Sequence, residues 1–131
     1  MSYNGTSINN SATITGKASV AIKDGAFLAV TLSASGVTLA TAGSPAVGFL
    51  VPITDAVKVG DDVDVQVKDI GLARAGATVA AGALLASDAN GKVITATANA
   101  FIIGMALEPA TAANQIISIQ ICKAGYKPAG V

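Results

Sequence analysis

The sequence predicts an all-β protein, a compact β-sandwich or β-barrel with an extended N-terminal arm. Short runs of β-branched and aliphatic residues recur along the chain, and turn-forming residues separate them. The runs at 62–68 and 117–121 alternate between apolar and polar residues, which is typical of strands with one buried face. No stretch requires a long helix. The 131 residues suffice for one domain with its own core.

The first 19 residues differ in composition from the rest of the chain. They are rich in Ser, Thr, Asn and Gly, and they contain too few large apolar side chains to offset the entropy lost on ordering. We expect residues 1–19 to form an arm that is either flexible or docked on a neighbouring chain through Ile8 and Ile14. The single β-domain is then predicted to span residues 20–124, followed by a short C-terminal tail at 125–131.

The first half of the domain contains five predicted strands. Turn-forming residues separate the first three strands. Pro52 has no backbone N–H and therefore predicts an edge or the end of its strand. In the fifth strand Val63, Val65 and Val67 share the face that we expect to be buried. The five strands are SVAIK (19–23), AFLAVTLS (26–33), VTLAT (37–41), GFLVPI (48–53) and DVDVQVKD (62–69).

The second half begins with AGATVAAGALLASDANGKV (75–93), a stretch rich in alanine and glycine. Asn90-Gly91 predicts a type I′ turn that reverses ALLAS into the strand KVITAT, and Gly76 and Gly82 are expected to have positive φ. Two further strands complete the domain, and the alternating isoleucines of the last one are predicted to face the core. They are AFIIGMAL (100–107) and QIISIQIC (115–122).

The Gly-Lys pair at 91–92 has two possible chemical interpretations, and its neighbours disfavour both. A phosphate-binding loop needs a glycine five residues earlier and a Ser or Thr after the lysine, where this chain has Ala86 and Val93. A carrier domain exposes its modified lysine at the tip of a hairpin, whereas Lys92 is expected to begin the outgoing strand. We therefore interpret the stretch as architecture, with a carrier turn as the less supported alternative.

A faint internal repeat relates the two halves of the domain. GFLVPITDAVKVGDDVDVQV (48–67) and GMALEPATAANQIISIQI (104–121) both run from a glycine-led apolar strand through a proline-containing connection into an alternating strand. Each half is therefore predicted to contain the same strand, loop, strand unit, with the 75–93 stretch between them.

Few residues of this chain are suited to catalysis or metal binding. It contains no His, which removes His-based triads and His-containing zinc sites. Its single cysteine, Cys122, cannot form an intrachain disulfide or a thiolate metal site. Lys123 is the one nearby base that could activate this thiol. We expect Cys122 to be a small apolar residue at the end of a strand.

The acidic residues also favour a structural interpretation. The spacing of the cluster Asp61, Asp62, Asp64 and Asp69 fits no EF-hand loop, so we expect a strand face that is solvated or turned toward a partner. The other carboxylates adjoin predicted turns, where Asp commonly accepts local backbone hydrogen bonds. They are Asp24, Asp55, Asp88 and Glu108. We predict no catalytic, cofactor-binding or metal-binding residue, no cofactor and no enzymatic activity.

Charge and hydropathy indicate assembly rather than a charged partner. Eight basic and eight acidic residues cancel, which offers no general attraction to nucleic acid or to an anionic membrane. Only 12% of residues are charged and 52% are hydrophobic. A soluble monomer usually carries about twice this charged fraction, so we expect apolar surface to be buried in an oligomer or assembly, with an unusually apolar monomer as the alternative. The N-terminus lacks signal-peptide features, which predicts synthesis in the cytoplasm.

The elements between residues 46 and 122 resemble, in order and spacing, a family of small phage capsid decoration proteins, also called cement proteins. The glycine-containing segment at 75–82 precedes a Gly-Lys-Val hairpin, which is followed by GMALE, an alanine-rich loop and a closing alternating strand. Ala83 departs from the pattern, since the family often has a polar residue there, and the arm is not part of it. The matching residues are Gly76, Val79, Gly82, Gly91, Lys92, Val93, Gly104, Ala106, Glu108 and the strand 117–121.

This resemblance implies a structural virion protein on the exterior of an icosahedral phage capsid, made in the host cytoplasm. Its partners would be the major capsid protein, whose subunit contacts it stabilises, and further copies of itself, with a trimer favoured and a dimer possible. The resemblance brings no catalytic residues.

Two other function classes remain as alternatives. A receptor- or glycan-binding β-module of a virion fibre would also be rich in strands, but the chain has no Trp and only Tyr3 and Tyr126 as tyrosines for stacking on a sugar. A hydrolase would have to use carboxylates such as Asp62 and Asp64, and no other feature of the sequence favours one.

Overall fold

The structure is a computed structural model that describes residues 11–51 and 56–129. These residues form strands and no helix, so this part of the chain has no helix able to cross a membrane. The all-β prediction is confirmed. The strands are β1 (Thr13–Lys17), β2 (Ile22–Lys23), β3 (Ala29–Ser33), β4 (Gly36–Leu39), β5 (Gly48–Val51), β6 (Ala56–Val57), β7 (Asp62–Gln66), β8 (Asp69–Arg74), β9 (Leu84–Ser87), β10 (Val93–Thr95), β11 (Phe101–Ala106) and β12 (Ile116–Tyr126).

Two five-stranded antiparallel sheets dominate the fold, and a small third sheet pairs β2 with β6. The first sheet has the order β1-β7-β5-β3-β4, and the second has the order β10-β9-β11-β12-β8. The outer strands of each sheet approach each other through one parallel bridge, Ala18 to Val37 in the first and Ala75 to Val93 in the second. Neither sheet closes into a barrel, so the architecture is that of sandwich-like sheets.

The alternating strands bury the faces that the sequence predicts. In β7, Val63 and Val65 are buried and Asp62 is exposed, and in β12 the alternating isoleucines are buried. The largest buried cluster includes Phe49 of the first sheet and Ile119 of the second. The two sheets therefore share a core, while a second cluster combines residues of the first sheet with Ile22 of β2.

Backbone hydrogen bonds also join the two sheets. The N–H of Ala29 in β3 donates to the carbonyl of Gly91 at 2.7 Å. Gly43 is bonded twice, since its N–H donates to the carbonyl of Ser87 at 2.9 Å and its carbonyl accepts the N–H of Phe101 at 3.1 Å. Leaving such a buried group unpaired costs about 1–3 kcal/mol, so these bonds fix how the sheets sit against each other.

Part of the predicted arm belongs to the first sheet. β1 pairs with β7 over its whole length, and Ile14 packs against the buried cluster of the same sheet. The segment has too little apolar surface to order by itself, but β7 supplies the hydrogen bonds and the neighbours that it lacks. Ile8 lies within residues 1–10, outside the described residues, and the arm stays a prediction there.

The C-terminal end of the domain lies further along the chain than predicted. β12 continues to Tyr126, which pairs with Phe101 of β11. The two rings meet edge to face with their centroids 5.1 Å apart, an arrangement that aromatic pairs prefer. The first residues of the predicted tail at 125–131 therefore lie in the second sheet.

The internal repeat corresponds to two antiparallel strand pairs. In the first half β5 pairs with β7, and in the second half β11 pairs with β12. The predicted strand, loop, strand units are thus confirmed, one in each sheet. Pro52 and Asp55 lie in the first connection, at 52–55, outside the described residues.

Candidate interaction surface

The Gly-Lys pair lies in the hairpin between β9 and β10, and the side chain of Asp88 organises its loop. Oδ1 of Asp88 accepts the N–H groups of Asn90 at 2.8 Å and Lys92 at 2.9 Å, and the N–H of Asp88 donates to the carbonyl of Lys92 at 2.7 Å. Two of the loop amides that a phosphate would need are therefore occupied by a carboxylate of the same chain.

The predicted type I′ turn at Asn90-Gly91 is wrong. Gly91 has a φ of 82°, but Asn90 does not have a positive φ, and a type I′ turn requires positive φ at both central residues. The loop instead contains the three residues 89–91 between Asp88 and Lys92, with glycine at the left-handed position. Three-residue loops of this kind are the next most common hairpin connection.

The two other glycines of the stretch have different roles. Gly82 has the predicted positive φ, at 84°, whereas Gly76 does not have one. Gly76 lies where a side chain has no room, because a Cβ there would be 2.5 Å from Oδ2 of Asp88 and 3.1 Å from Cβ of Lys92. Its N–H donates to the carbonyl of Val93 at 2.8 Å, which holds the end of β8 against β10. The stretch therefore builds and secures a hairpin.

The acidic cluster does not converge on a site. Asp62 forms an ion pair with Lys17 at 2.6 Å, and Asp64 accepts a hydrogen bond from Thr15 at 2.7 Å, both between β7 and β1. The hydrogen bond to Asp62 and its negative charge raise the pKa of Lys17. Across the described ranges, no three Cys, Asp or Glu side chains group so as to hold a metal ion. This is an exposed strand edge with paired charges.

The remaining acidic side chains bond mainly to nearby backbone. Asp61 accepts the N–H of Lys58 at 2.9 Å, and Glu108 accepts the N–H of Ser118 at 3.1 Å. Asp69 opens β8 with a φ of 69°. These contacts stabilise turns and strand ends, and they do not bring two carboxylates together as an acid and base pair would require.

Cys122 is a free, half-buried thiol on β12. The amine of its neighbour Lys123 donates to the carbonyl of Val67 at 2.7 Å, and burial lowers the pKa of this lysine. Lys123 therefore holds β12 against the turn after β7 and is already engaged in that contact.

A shallow cavity of about 230 Å³ lies between the loop at 42–43 and the turn at 97–100. Its lining consists mainly of small side chains and contains no titratable group. The buried hydroxyl of Ser87 already donates to the carbonyl of Asp88 at 2.8 Å. The lining therefore offers no titratable group for acid-base chemistry.

The second sheet carries exposed aliphatic side chains on its outer surface. Cross-strand pairing places Leu84 beside Met105, and both Met105 and Ile70 beside Gln120. Of the ten exposed large hydrophobic side chains in the described part of the chain, six lie on this surface, so they are clustered rather than scattered. We term it the apolar face: Ile70, Leu72, Leu84, Met105, Leu107 and Ile116, which are 37–61% exposed.

A second row of the apolar face surrounds Ser118 of β12. Leu72 pairs with Ser118 on one side, and on the other the N–H of Leu107 donates to the carbonyl of Ser118 at 3.0 Å. Ile116 follows in the next row, opposite Arg74. The face therefore extends across β9, β11, β12 and β8, with polar uncharged residues of β12 between its aliphatic side chains.

The apolar face carries little free charge. Arg74 is the charged residue that strand register places on it, and its guanidinium contacts the carboxylate of Asp24 at 3.3 Å. The side chain of Arg74 is only 13% exposed. Glu108 lies at the rim, beside Ser118. An uncharged aliphatic surface of this kind is suited to contact with another protein surface.

The sequence did not predict this face because β8 reverses the usual pattern. Ala73 is buried and Gly71 is half-buried on the inner side of the strand, while Ile70 and Leu72 are exposed on its outer side. Large apolar residues normally mark the buried side of a strand, so this strand was not recognised. The sequence did indicate which residues of β12 face outward, namely Ser118 and Gln120 on the side opposite the isoleucines. It did not indicate that this side belongs to an apolar surface.

Comparisons with known proteins support the resemblance described above. A family model described as phage cement protein matches residues 6–121, which begins well before residue 46 and includes part of the predicted arm. No curated protein sequence matches the chain. The solved structure of the head fiber gp8.5 N base in bacteriophage phi29 has a similar fold, with a TM-score of 0.63, 17% identity and coverage of 88% of this chain and 97% of that one. Because the family model spans most of the sequence, the chain belongs to the phage cement protein family and is a structural protein of the phage virion.

Proposed function

We propose that this protein binds the outer surface of an icosahedral phage head and stabilises contacts between subunits of the major capsid protein. It acts from the capsid exterior, after synthesis in the host cytoplasm, and as a homo-oligomer for which a trimer is favoured and a dimer is possible. Membership of the phage cement protein family supports this proposal. The apolar face is the structural observation that carries it.

The apolar face supports an assembly function because it is clustered and aliphatic. Exposures of 37–61% for six large side chains give on the order of 500 Å² of apolar surface, at the upper end of what a typical monomer exposes in one patch. Ile and Leu lose less rotamer entropy on burial than Lys, Arg or Glu. A rigid sheet that presents such side chains therefore docks with a small entropic cost.

Residues 1–10 are the second element of the proposed contact with the capsid. The family match begins at residue 6, within this segment, and β1 begins at Thr13 at the edge of the first sheet. We infer from its composition that this segment contacts a neighbouring subunit. Many identical contacts of this kind on one shell give avidity even when each is weak.

We also propose that the protein has no enzymatic activity and uses no cofactor. Asp62 and Asp64, the carboxylates that the hydrolase alternative would need, bond to Lys17 and Thr15. The shallow cavity lies elsewhere, and its lining has no titratable group. An assembly role requires no catalytic, metal-binding or cofactor-binding group of residues.

The direct test is to add the purified protein to capsids that contain the major capsid protein but lack this chain. Binding is measured by co-sedimentation, and capsid stability by calorimetry with and without the bound protein. We expect saturable binding and a higher melting temperature of the capsid. Absence of co-sedimentation would contradict the binding role, and binding without a change in capsid melting would contradict the stabilising role.

A receptor- or glycan-binding module of a virion fibre has less support. Tyr126 is exposed, but its ring is held edge to face against Phe101 near the end of β12. Sugar recognition commonly uses aromatic faces as stacking platforms, and the apolar face is aliphatic. Saturable hits on a glycan array, together with no binding to capsids, would favour this alternative.

A further inference from the structure

We propose that Asn90 is a site of spontaneous deamidation, and that the isoaspartate formed there releases the β9–β10 hairpin from the first sheet. The Asn-Gly pair at 90–91 supplies both reacting groups, the side-chain amide of Asn90 and the backbone nitrogen of Gly91. The loop leaves the two groups open to reaction, and the contacts of Gly91 determine what the product does to the fold.

The side-chain amide of Asn90 is open to solvent. Asn90 is exposed in the middle of the loop 89–91, and no described residue forms a hydrogen bond with its side chain. Its N–H donates to Oδ1 of Asp88 at 2.8 Å, so the backbone of Asn90 is fixed while its side chain is not. Asparagine is among the thermally labile residues of proteins, and its side-chain carbon Cγ is accessible to attack here.

The nucleophile, the backbone nitrogen of Gly91, is held weakly. Its N–H donates to the carbonyl of Asp88 at 3.4 Å, beyond the usual limit of about 3.2 Å for such a bond. The N–H groups on either side of it, those of Asn90 and Lys92, bond to the carboxylate of Asp88 at 2.8 and 2.9 Å. Since glycine has no Cβ, no side chain on Gly91 hinders the approach of its nitrogen to the side chain of Asn90.

The reaction needs only base and water. Hydroxide removes the N–H proton of Gly91, and the nitrogen attacks Cγ of Asn90 to form a C–N bond. The bond from Cγ to the amide nitrogen breaks, and that nitrogen takes a proton from water and leaves as ammonia. Water then opens the resulting succinimide ring. Breaking the bond from the ring nitrogen to Cγ gives aspartate, whereas breaking its bond to the backbone carbonyl carbon gives isoaspartate, whose main chain runs through Cβ and Cγ and is longer by a single carbon.

The longer main chain of isoaspartate does not fit the contact between the hairpin and the first sheet. The carbonyl of Gly91 accepts the N–H of Ala29 at 2.7 Å, and a Cβ added to Gly91 would lie 2.8 Å from the carbonyl oxygen of Ala29. The extra carbon also falls between the N–H groups of Asn90 and Lys92, which both bond to Oδ1 of Asp88. Isoaspartate therefore displaces Gly91 from Ala29 and separates the two amides that organise the loop.

The chain contains matched controls for the site of reaction. Asn99 and Asn114 are exposed as Asn90 is, but Ala100 and Gln115 follow them, so each has a side chain next to the attacking nitrogen. Purified protein is incubated at mildly alkaline pH, and peptide mapping by mass spectrometry follows the replacement of –NH2 by –OH at each asparagine. Mapping also separates Asn90 from the Asn-Gly pair at 4–5, which lies outside the described residues.

We expect Asn90 to deamidate roughly tenfold or more faster than Asn99 and Asn114. Asn90→Gln should prevent the reaction at this position over the same incubation, because its longer side chain would have to close a larger ring. Deamidation of Asn90 that is no faster than that of the two controls would overturn the proposed site.

Urea unfolding tests what the product does to the fold. The sample is the fraction whose Asn90 peptide contains isoaspartate, and it is compared with fresh Asn90→Asp, which adds the charge without the extra carbon, and with Asn90→Gln incubated equally long. We expect the isoaspartyl fraction to unfold at a urea concentration lower by about 1 M, with both variants close to fresh wild type. An isoaspartyl fraction as stable as fresh wild type, or Asn90→Asp destabilised equally, would overturn the proposed release of the hairpin by the longer main chain.

Discussion

The docking of the β9–β10 hairpin on the first sheet can be tested with three glycines of matched conformation. Gly91 has a φ of 82°, and a Cβ there would lie 2.8 Å from the carbonyl oxygen of Ala29, whose N–H donates to Gly91 at 2.7 Å. Gly82 and Gly125 have φ values of 84° and 82°, but a Cβ at either position meets no atom within 4 Å. The three positions share the left-handed backbone and differ in the space around it.

Alanine at each position separates two contributions to the free energy of unfolding, the strain of a left-handed backbone and the steric overlap with neighbouring atoms. At Gly82 or Gly125 it introduces a side chain into a left-handed residue, at a cost of about 1–2 kcal/mol. At Gly91 it also overlaps the backbone of Ala29, which cannot move without disturbing β3, and overpacking of this kind adds about 1–3 kcal/mol. We therefore expect Gly91→Ala to lose about 2–5 kcal/mol in total.

Urea unfolding followed by far-UV circular dichroism measures these losses, with all proteins at one concentration because association alters apparent stability. Gly82→Ala and Gly125→Ala are the controls for backbone strain. Equal losses at all three positions would show that the close approach between Gly91 and Ala29 contributes nothing. A neutral Gly91→Ala would refute both the left-handed conformation and the contact.

Three further changes examine other parts of the chain. Asp88→Ala should lose about 1–3 kcal/mol, because two loop N–H groups lose their acceptor; Asp88→Asn keeps an acceptor oxygen and should lose less in the same urea assay. Lys17 has a raised pKa, so its contribution to stability is present below the unfolded value of 10.5 and is lost as pH rises through the folded pKa. Lys123 has a lowered pKa, so its contribution improves as pH rises toward 10.5. Unfolding curves at neutral and alkaline pH should show that Lys17→Met removes the first pH dependence and that Lys123→Met removes the second. A variant whose stability keeps the wild-type pH dependence would contradict the pKa shift assigned to that lysine. Deleting residues 1–10 leaves β1 intact, and we expect a normal far-UV spectrum with weaker capsid co-sedimentation; undiminished binding would make the segment dispensable.

The sequence contained the whole signal for strands whose large side chains face the core. Val63 and Val65 of β7 are buried because a strand with one solvated face separates apolar from polar residues at every second position. The edge strand β1 was missed because its order depends on pairing with β7, which is distant in the sequence. The loop at Gly91 differs from the predicted type I′ turn because of two sets of hydrogen bonds. The carboxylate of Asp88 accepts the N–H groups of Asn90 and Lys92, and the N–H of Ala29 in the other sheet donates to the carbonyl of Gly91.

The apolar face could not be predicted for a further physical reason, which lies on the inner side of β8. A Cβ on Gly71 would lie 2.5 Å from Oε1 of the Gln66 side chain, and Ala73 beside it is fully buried. Gly71 and Ala73 are the small residues on this inner side, and the large side chains of Ile70 and Leu72 lie on the outer side of the strand. From the sequence alone, the same alternation of small and large residues would assign Ile70 and Leu72 to the core.

This arrangement separates the residues that fold the chain from those that we propose assemble it. Ile70 is exposed and belongs to none of the buried clusters of the chain. A charge there should therefore weaken association while leaving the free energy of unfolding of the monomer nearly unchanged. Gly91 lies in the hairpin that binds the first sheet, so a side chain there should destabilise the fold without altering the apolar face. If Ile70→Lys destabilised the dissociated chain as much as Gly91→Ala does, the outer side of β8 would belong to the monomer's own packing, and an assembly role for the face would no longer be needed to explain its composition.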